Sequence, residues 1–170
     1  INSVVTGGTP NVAKKFVAQI ADKVKSEGVI VGIDGYTTAN WNLFLNLLAR
    51  ECVINGFEFE AVDANKAVLK SGKEIDDMID PLLIWDTKID PTLLYGKLYH
   101  GGYIGLFDQT KMEQFRQDVP AMKAPGKLVV VAGYGCMTAE LRDLYDIKCW
   151  FDITPMKTML RIRGGEYANL

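Results

Sequence analysis

Val29-Ile30-Val31-Gly32-Ile33-Asp34, running on into Gly35-Tyr36-Thr37-Thr38-Ala39-Asn40-Trp41-Asn42, is the stretch from which the fold is read. Its opening residues are continuously apolar, with no polar alternation. Such runs fit a strand buried on both faces, the mark of a parallel sheet covered by helices. Upstream, Asn11 to Ser26 repeats Val12, Phe16, Ile20 and Val24 every four residues, with Val17 and Ala21 widening the stripe. Lys14, Lys15, Lys23 and Lys25 lie mostly off it, so an amphipathic helix with a solvated lysine face is expected. Thr9-Pro10 supplies its start signal and Gly28 its stop. Downstream, Trp41, Leu45, Leu48 and Cys52 make the stripe of a second helix over Thr37–Asn55, closed by Asn55-Gly56.

Further along, Phe57–Val62 alternates as a strand ending at Asp63, and Lys127–Gly133 is the clearest buried strand of the chain. Helices are expected at Glu74–Leu83, Pro91–Tyr99, Thr110–Val119 and Ala139–Tyr145. A strand at Ile147–Ile153 follows, then a helix opening at Pro155 and running to Arg163. Strands alternating with helices specify an α/β domain with a mainly parallel central sheet and helices on both faces. No internal repeat, low-complexity tract or linker interrupts it, so residues 1–170 read as one domain.

The bulk properties narrow the function classes. The chain has 170 residues, 48% hydrophobic and 24% charged, an ordinary globular balance. A formal net charge of −2 disfavours general nucleic-acid or membrane-surface binding, which want basic patches. No apolar run is long enough to cross a bilayer, and no secretory pattern opens the chain. Cys52, Cys136 and Cys149 have neither metal-like spacing nor even pairing and are expected to be buried free thiols in a reducing, cytoplasmic setting. The first residue is Ile1 rather than a methionine, which fits a domain cut from a longer protein.

Ligands of α/β sheets gather at the carboxyl ends of strands, where a loop feeds a helix N-terminus. The first such place is Gly35 to Asn42. A strand ending in Ile33-Asp34-Gly35, a short loop and then a helix resembles the opening of the uridine kinase and phosphoribulokinase-like group of P-loop kinases. That resemblance implies a three-layer P-loop NTPase-like fold. It also implies the loop G-x-x-x-x-G-K-[ST], in which backbone N–H groups wrap phosphates, the lysine meets the β/γ oxygens and the hydroxyl holds Mg²⁺. Counted from Gly35, the second glycine falls on Asn40, the lysine on Trp41 and the hydroxyl on Asn42. The loop length is kept and its chemistry is not.

The likeness runs over roughly residues 29 to 165. Asp63 matches the position of an aspartate that accepts the substrate hydroxyl proton. Phe107-Asp108 is similar to a substrate-side turn. Val129-Val130-Val131-Ala132-Gly133 resembles a strand that ends in an acid and a glycine, with Ala132 in place of the acid. Glu140-Leu141-Arg142-Asp143-Leu144-Tyr145-Asp146 followed by Lys148-Cys149-Trp150-Phe151-Asp152 matches a structural run of these kinases. Arg161 and Arg163 fall where a lid helix offers arginines to the nucleotide. The resemblance therefore implies Asp63 and Asp108 as catalytic candidates and Gly35, Thr37, Thr38, Asn40, Asn42, Arg161 and Arg163 as cofactor-binding candidates, with no metal ligand assigned. Each has a plainer reading. Trp41 suits its helix core, Thr37, Thr38 or Asn40 an N-cap, Asp34 a loop tie and Asp63 and Asp108 turn chemistry. His100, beside Gly101-Gly102, has no assignable partner.

Three functions follow as expectations. The first is a weakened kinase-like domain that binds a nucleotide or sugar phosphate at a helix start still attractive to anions, or supports a fused neighbouring domain. The Ile-Asp-Gly-Tyr-Thr-x-x-Asn-Trp pattern also resembles kinase-like domains fused to mannose-6-phosphate isomerase-like domains. The second is an active small-molecule kinase with a variant loop, using ATP and Mg²⁺, with Asp63 as base and Arg161 or Arg163 replacing the lost lysine charge. The third is an interaction module without a ligand.

Overall fold

The computed structural model describes residues 7–86, 88–89 and 96–165. Helix α1 (Thr9–Glu27) has Pro10 in its first turn and buries Ala13, Val17, Ile20 and Val24. Ile20, Val24 and Val17 of the expected stripe are buried, but Val12 is exposed and Phe16 only half-buried, and Ala13 takes their place because the face turned to the sheet lies one residue further round. Gly28, at φ 77°, ends it, and its N–H caps Val24 O at 3.0 Å. A side chain at Gly28 would place its Cβ 2.2 Å from the Ala124 carbonyl oxygen.

Strand β1 (Val29–Gly35) follows and is buried throughout. Next come α2 (Asn42–Ile54), β2 (Glu58–Asp63), α3 (Ala64–Val68), α4 (Gly72–Ile79), α5 (Gln109–Ala121), β3 (Lys127–Ala132), β4 (Ile147–Phe151) and α6 (Pro155–Arg163). The four strands form one parallel sheet in the order β2-β3-β1-β4. Its register aligns Asp63 with Ala132, Ala132 with Ile33, and Ile33 with Cys149. All four strands therefore end at one edge, where the connecting loops collect.

The pleat sends alternate side chains to opposite faces. Val29, Val31, Ile33, Leu128 and Val130 pack with Val17, Val24, Phe44, Leu48 and Cys52 of α1 and α2. Ile30, Val129 and Val131 pack with Val68, Met112, Phe115 and Val119 of α3 and α5, and with Leu141 and Tyr145. The three-layer arrangement expected from the continuous apolar runs is thus present.

Several boundaries differ from the sequence reading, each for a local reason. Helix α2 starts at Asn42 rather than Thr37, because Thr38 takes a left-handed backbone (φ 70°) that no helix accommodates. Glu74–Leu83 becomes α4 plus a 3-10 turn at Asp80–Leu82, where Pro81 removes a backbone donor. Ser71 and Glu74 close α4 with a capping box. Ala139–Tyr145 holds only a 3-10 turn at Arg142–Leu144, and the single-turn α3 was not foreseen. Most of the helix expected at Pro91–Tyr99 lies outside the described residues. Gly96, at its described end, bridges antiparallel to Leu83 instead.

The amino-terminal edge of the sheet is tied by charge. Asp146 accepts the Ile30 N–H at 2.8 Å and ammonium bonds from Lys123 at 2.9 Å and Lys23 at 3.2 Å. Lys127 pairs with Glu58 at 3.1 Å and Glu60 at 2.7 Å, joining β3 to β2. No described helix is long and apolar enough to cross a membrane. The three cysteines are free thiols, as expected, but only Cys52 and Cys136 are buried; Cys149, on the edge strand β4, is half-buried. Burial pushes the Cys52 thiol up to about 11 and the Cys136 thiol up to about 12, so both are poor nucleophiles.

Two outcomes follow. The Gly32 position faces the Tyr145 ring, and an added Cβ would lie 2.2 Å from Tyr145 Cδ2. Gly32→Ala is expected to cost about 1–3 kcal/mol, the range for overpacking, measured as a shift in the urea midpoint. An unchanged midpoint contradicts this packing. Partial burial pushes the Asp146 carboxyl up, but the Ile30 N–H and the Lys123 and Lys23 ammoniums outweigh it and hold its pKa below the ordinary value. A depressed carboxyl stabilises the fold above its unfolded pKa of about 3.9, and that contribution disappears as pH falls through the folded value. Asp146→Asn should therefore lower stability at about pH 7, and its gap to the parent should narrow toward about pH 2. A gap independent of pH contradicts the assignment.

Candidate functional site

The loop between β1 and α2 is held from four sides. Asp34, only 5% exposed, accepts the Gly35 N–H at 2.7 Å through Oδ1 and the Met137 N–H at 2.9 Å through Oδ2. Its carboxylate therefore joins the end of β1 to the loop after β3, the plainer of its two readings. The Tyr36 N–H donates to the Phe151 carbonyl of β4 at 2.9 Å, and the Ala39 N–H donates to the Tyr36 carbonyl at 2.8 Å. The Asn42 N–H donates to Asn40 Oδ1 at 2.9 Å, an Asx turn just ahead of α2; the N-cap itself is Trp41, without a side-chain cap, rather than Thr37, Thr38 or Asn40 as expected.

Thr38 is the focus. It is 1% exposed and sits at φ 70°, a region that costs a β-branched residue on the order of 1–3 kcal/mol. Its N–H donates to the Tyr134 hydroxyl at 3.1 Å and its carbonyl accepts from the Arg161 guanidinium at 2.5 Å. Its hydroxyl donates to Thr158 Oγ1 at 3.3 Å, which in turn donates to the Thr37 carbonyl at 3.4 Å. Helix α6 is thus bound to the loop through Thr158 and Arg161. Arg163 is exposed at its end.

Tyr134 is positioned just as closely. Asn65 of α3 accepts its N–H at 2.9 Å and donates to its carbonyl at 3.0 Å, a two-point clasp. Gly133 permits this, because a Cβ there would lie 2.8 Å from Asn65 Oδ1. Gly135 turns the chain at φ 88°, where a Cβ would meet the Tyr103 ring at 2.6 Å. The Tyr134 ring meets Trp41 edge-on at 5.1 Å, and Trp41 meets Phe151 at 6.4 Å. Trp41 therefore packs inside the protein at the place where the kinase pattern has its lysine.

At the expected anion-attracting helix start, Thr37–Asn40, the amides of Tyr36, Thr38, Ala39 and Asn42 are engaged within the protein, that of Thr38 by the Tyr134 hydroxyl. With Trp41, Asn42 and Ala132 at the remaining positions, these residues do not fit a nucleotide phosphate with Mg²⁺. Among the described residues no cluster of three or more histidine, cysteine or carboxylate groups is placed to hold a metal.

Beside the loop, at the carboxyl ends of β2 and β3, lies a cleft of about 620 Å³. Trp41, Asn42 and Leu45 of α2 form one wall, and Asp63, Asn65 and Lys66 form the floor. Lys70, Ile75 and Lys111 complete it. Asp63 caps α3 by accepting the Lys66 N–H at 3.2 Å, and it pairs with the Lys66 ammonium at 3.7 Å. The Lys70 ammonium donates to the Gly105 carbonyl at 2.5 Å and the Lys111 ammonium to the Leu69 carbonyl at 3.0 Å. Neither lysine pairs with a described carboxylate, so the cleft carries an excess of positive charge. Asp108 caps α5, accepting the Lys111 N–H at 3.0 Å, and lies outside the cleft lining. Of the expected site residues, Asp63 and Asn42 reach this cleft, and Asn40 and Arg161 line a separate groove of about 440 Å³. Gly35 and Thr37 face a third hollow. Sequence reasoning missed Tyr134, Lys70 and Lys111. An aromatic residue between two glycines directly after the buried strand was the available signal for the first.

This sheet, with its strand order and loop, defines the P-loop kinase class of fold. Solved structures agree: a possible uridine kinase from Bacillus stearothermophilus superposes with a TM-score of 0.54 at 13% identity, covering 88% of this chain and 84% of its own. A protein described as a fructose transport system kinase, from Silicibacter sp. TM1040, gives 0.57 at 14% identity, covering 96% and 85%. At such identities the likeness establishes the fold. The chain belongs to the family described as a domain of unknown function, DUF8485, whose model matches residues 14–170. No curated protein matches the chain at a significant level.

Tyr134→Phe removes the acceptor of a buried N–H without changing the ring. It is expected to lower stability by about 1–3 kcal/mol, the cost of a buried group left unpaired. Urea unfolding followed by Trp41 fluorescence measures it, and a change within about 0.3 kcal/mol would show that the hydroxyl does not hold the loop.

Proposed function

We propose that this chain is a kinase-fold binding domain that holds a phosphorylated small molecule, a sugar phosphate or nucleotide, in the lysine-lined cleft and does not transfer phosphoryl groups. The observation that carries this reading is the exchange of roles between two neighbouring places. In the loop that would grip phosphates the Thr38 amide is held by the Tyr134 hydroxyl, while Lys66, Lys70 and Lys111 bring ammonium groups to the cleft beside it. Phosphoryl transfer spreads negative charge over three oxygens and requires metal and fixed cations at the loop. One missing donor costs about 10²–10³ in rate, and here several are missing together.

A binding site has a lesser requirement. It needs fixed cations, an apolar wall and polar groups to orient the ligand. Trp41, Leu45 and Ile75 offer the wall and Asn65 and Asn42 the amides. The Lys70 and Lys111 ammoniums donate to neutral backbone carbonyls at the edge of the cleft. A second reading, an active kinase with Asp63 as base, draws support from the presence of Asp63 at the cleft.

Calorimetry with hexose phosphates, nucleoside monophosphates and ATP, with and without Mg²⁺, alongside a coupled ADP-release assay, separates the readings. Binding of a phosphorylated ligand is expected to weaken about tenfold or more in Lys70→Ala and in Lys111→Ala, the loss typical of a charged hydrogen bond. No ATP turnover above background is expected. Turnover of about 1 s⁻¹ or faster, the low end for kinases, that vanishes in Asp63→Asn overturns the proposal in favour of the active kinase. Absence of both binding and turnover overturns it in favour of an interaction module without a ligand.

A further inference from the structure

The third hollow, about 370 Å³, opens where the end of β1 meets the loop after β3. Its chemistry is the reverse of the cleft's. Asp34 is its sole charged lining residue, and no lysine or arginine reaches it. The carboxylate is buried and holds two backbone N–H groups, yet a carboxylate offers about four acceptor positions. No lysine, arginine or histidine among the described residues forms an ion pair with it. A buried charge without a counterion is costly unless something supplies the opposite charge.

The rest of the lining indicates what that is. Tyr103, Tyr134 and Trp150 bring three aromatic side chains, and Met137 a polarisable thioether. Aromatic faces attract cations, and such surroundings with one carboxylate are how proteins recognise ammonium groups. Thr138 Oγ1 is buried with no hydrogen-bond partner, an acceptor available to an N–H or a polarised C–H. Burial, and then the charge of Asp34, push the Tyr103 phenol up to about 12, so it stays neutral beside the carboxylate. Trp150 is 60% exposed, which leaves one side of the hollow open to an entering molecule.

We propose that this hollow binds a small organic ammonium ion, with Asp34 as its counterion and Tyr103, Tyr134 and Trp150 as its walls. The site is independent of the phosphate cleft, since Tyr134 is the one residue common to both linings. Phosphates are repelled here for the same reason that ammonium is attracted.

The test compares choline and ethanolamine with the neutral isostere of choline, in which carbon replaces the quaternary nitrogen, and with glycerol. Binding is followed by amide chemical shifts and by calorimetry. Choline or ethanolamine is expected to shift the Gly35 and Met137 amides and to bind about tenfold or more tighter than the isostere, the scale of a desolvated cation–aromatic contact. Trp150→Ala should weaken the cation several-fold with an unchanged unfolding midpoint, because that side chain is largely exposed. Asp34→Asn should abolish the preference for the cation. Should Asp34→Asn fail to fold, Trp150→Ala and Thr138→Val carry the test. Equal binding of the isostere or of glycerol assigns the hollow to neutral ligands and overturns the proposal. So does the absence of binding by either cation at about 100 mM, roughly the affinity that one such contact alone would give. Cation binding untouched by both Trp150→Ala and Thr138→Val overturns it as well.

Discussion

The hydrogen bond from the Thr38 amide to the Tyr134 hydroxyl joins the loop after β1 to the loop after β3, and both the cleft and the third hollow reach Tyr134. Thr38 is held in a backbone region that a β-branched residue avoids, and it stays there because its surroundings leave it no alternative. Asn65 fixes the Tyr134 backbone, the flanking glycines allow the turn, and Trp41 packs against the ring. Arg161 and Thr158 then bind α6 to the far side of the same residue. A phosphate loop keeps its amides open for a ligand. Here the Thr38 amide is held by the Tyr134 hydroxyl and the Tyr36 and Ala39 amides by backbone carbonyls, while the strand–loop–helix path persists.

The parallel register explains why the ligand-competent surfaces nevertheless lie nearby. Because all four strands end at one edge, the loops after β1, β2 and β3 meet there, and each pleat face presents different side chains. On the side of β2, the short helix α3 and the residues around it contribute Lys66, Lys70 and Lys111. On the side of β1 and β4, Asp34 and Trp150 dominate. The two hollows have opposite charge although both touch Tyr134.

The sequence and the structure agree where apolar periodicity carries the information. Val29–Ile33 and Leu128–Val131 could be read as buried parallel strands because no polar residue interrupts them, and α1 as an amphipathic helix, although its buried face is centred on Val17, Ile20 and Val24 and leaves Val12 exposed. The departure of Trp41 and Asn42 from the kinase loop pattern is also visible in the sequence, since it depends on residue type alone. What holds the loop is not. The bonds from Asn65 to Tyr134 and from Arg161 to Thr38 join positions 69 and 123 residues apart, and no local pattern encodes them. The early start expected for α2 failed for a related reason. Thr37 and Thr38 are good helix-start residues, and the left-handed turn at Thr38 is imposed by partners distant in sequence. Lys70 and Lys111 went unremarked because isolated lysines are ordinarily solvated, and only the fold shows their ammonium groups resting on backbone carbonyls at a cleft.

The central claim is that anions are received by the lysine cleft and not by the loop after β1. Amide chemical-shift mapping during a titration with pyrophosphate tests it most directly, since it reports each backbone N–H separately. The account predicts shifts concentrated at Lys66, Lys70, Gly72 and Lys111, with Thr37 to Asn42 nearly silent. Shifts concentrated at Thr37, Thr38 and Asn40 would show that the Tyr134 hydroxyl yields to phosphate, and would contradict it.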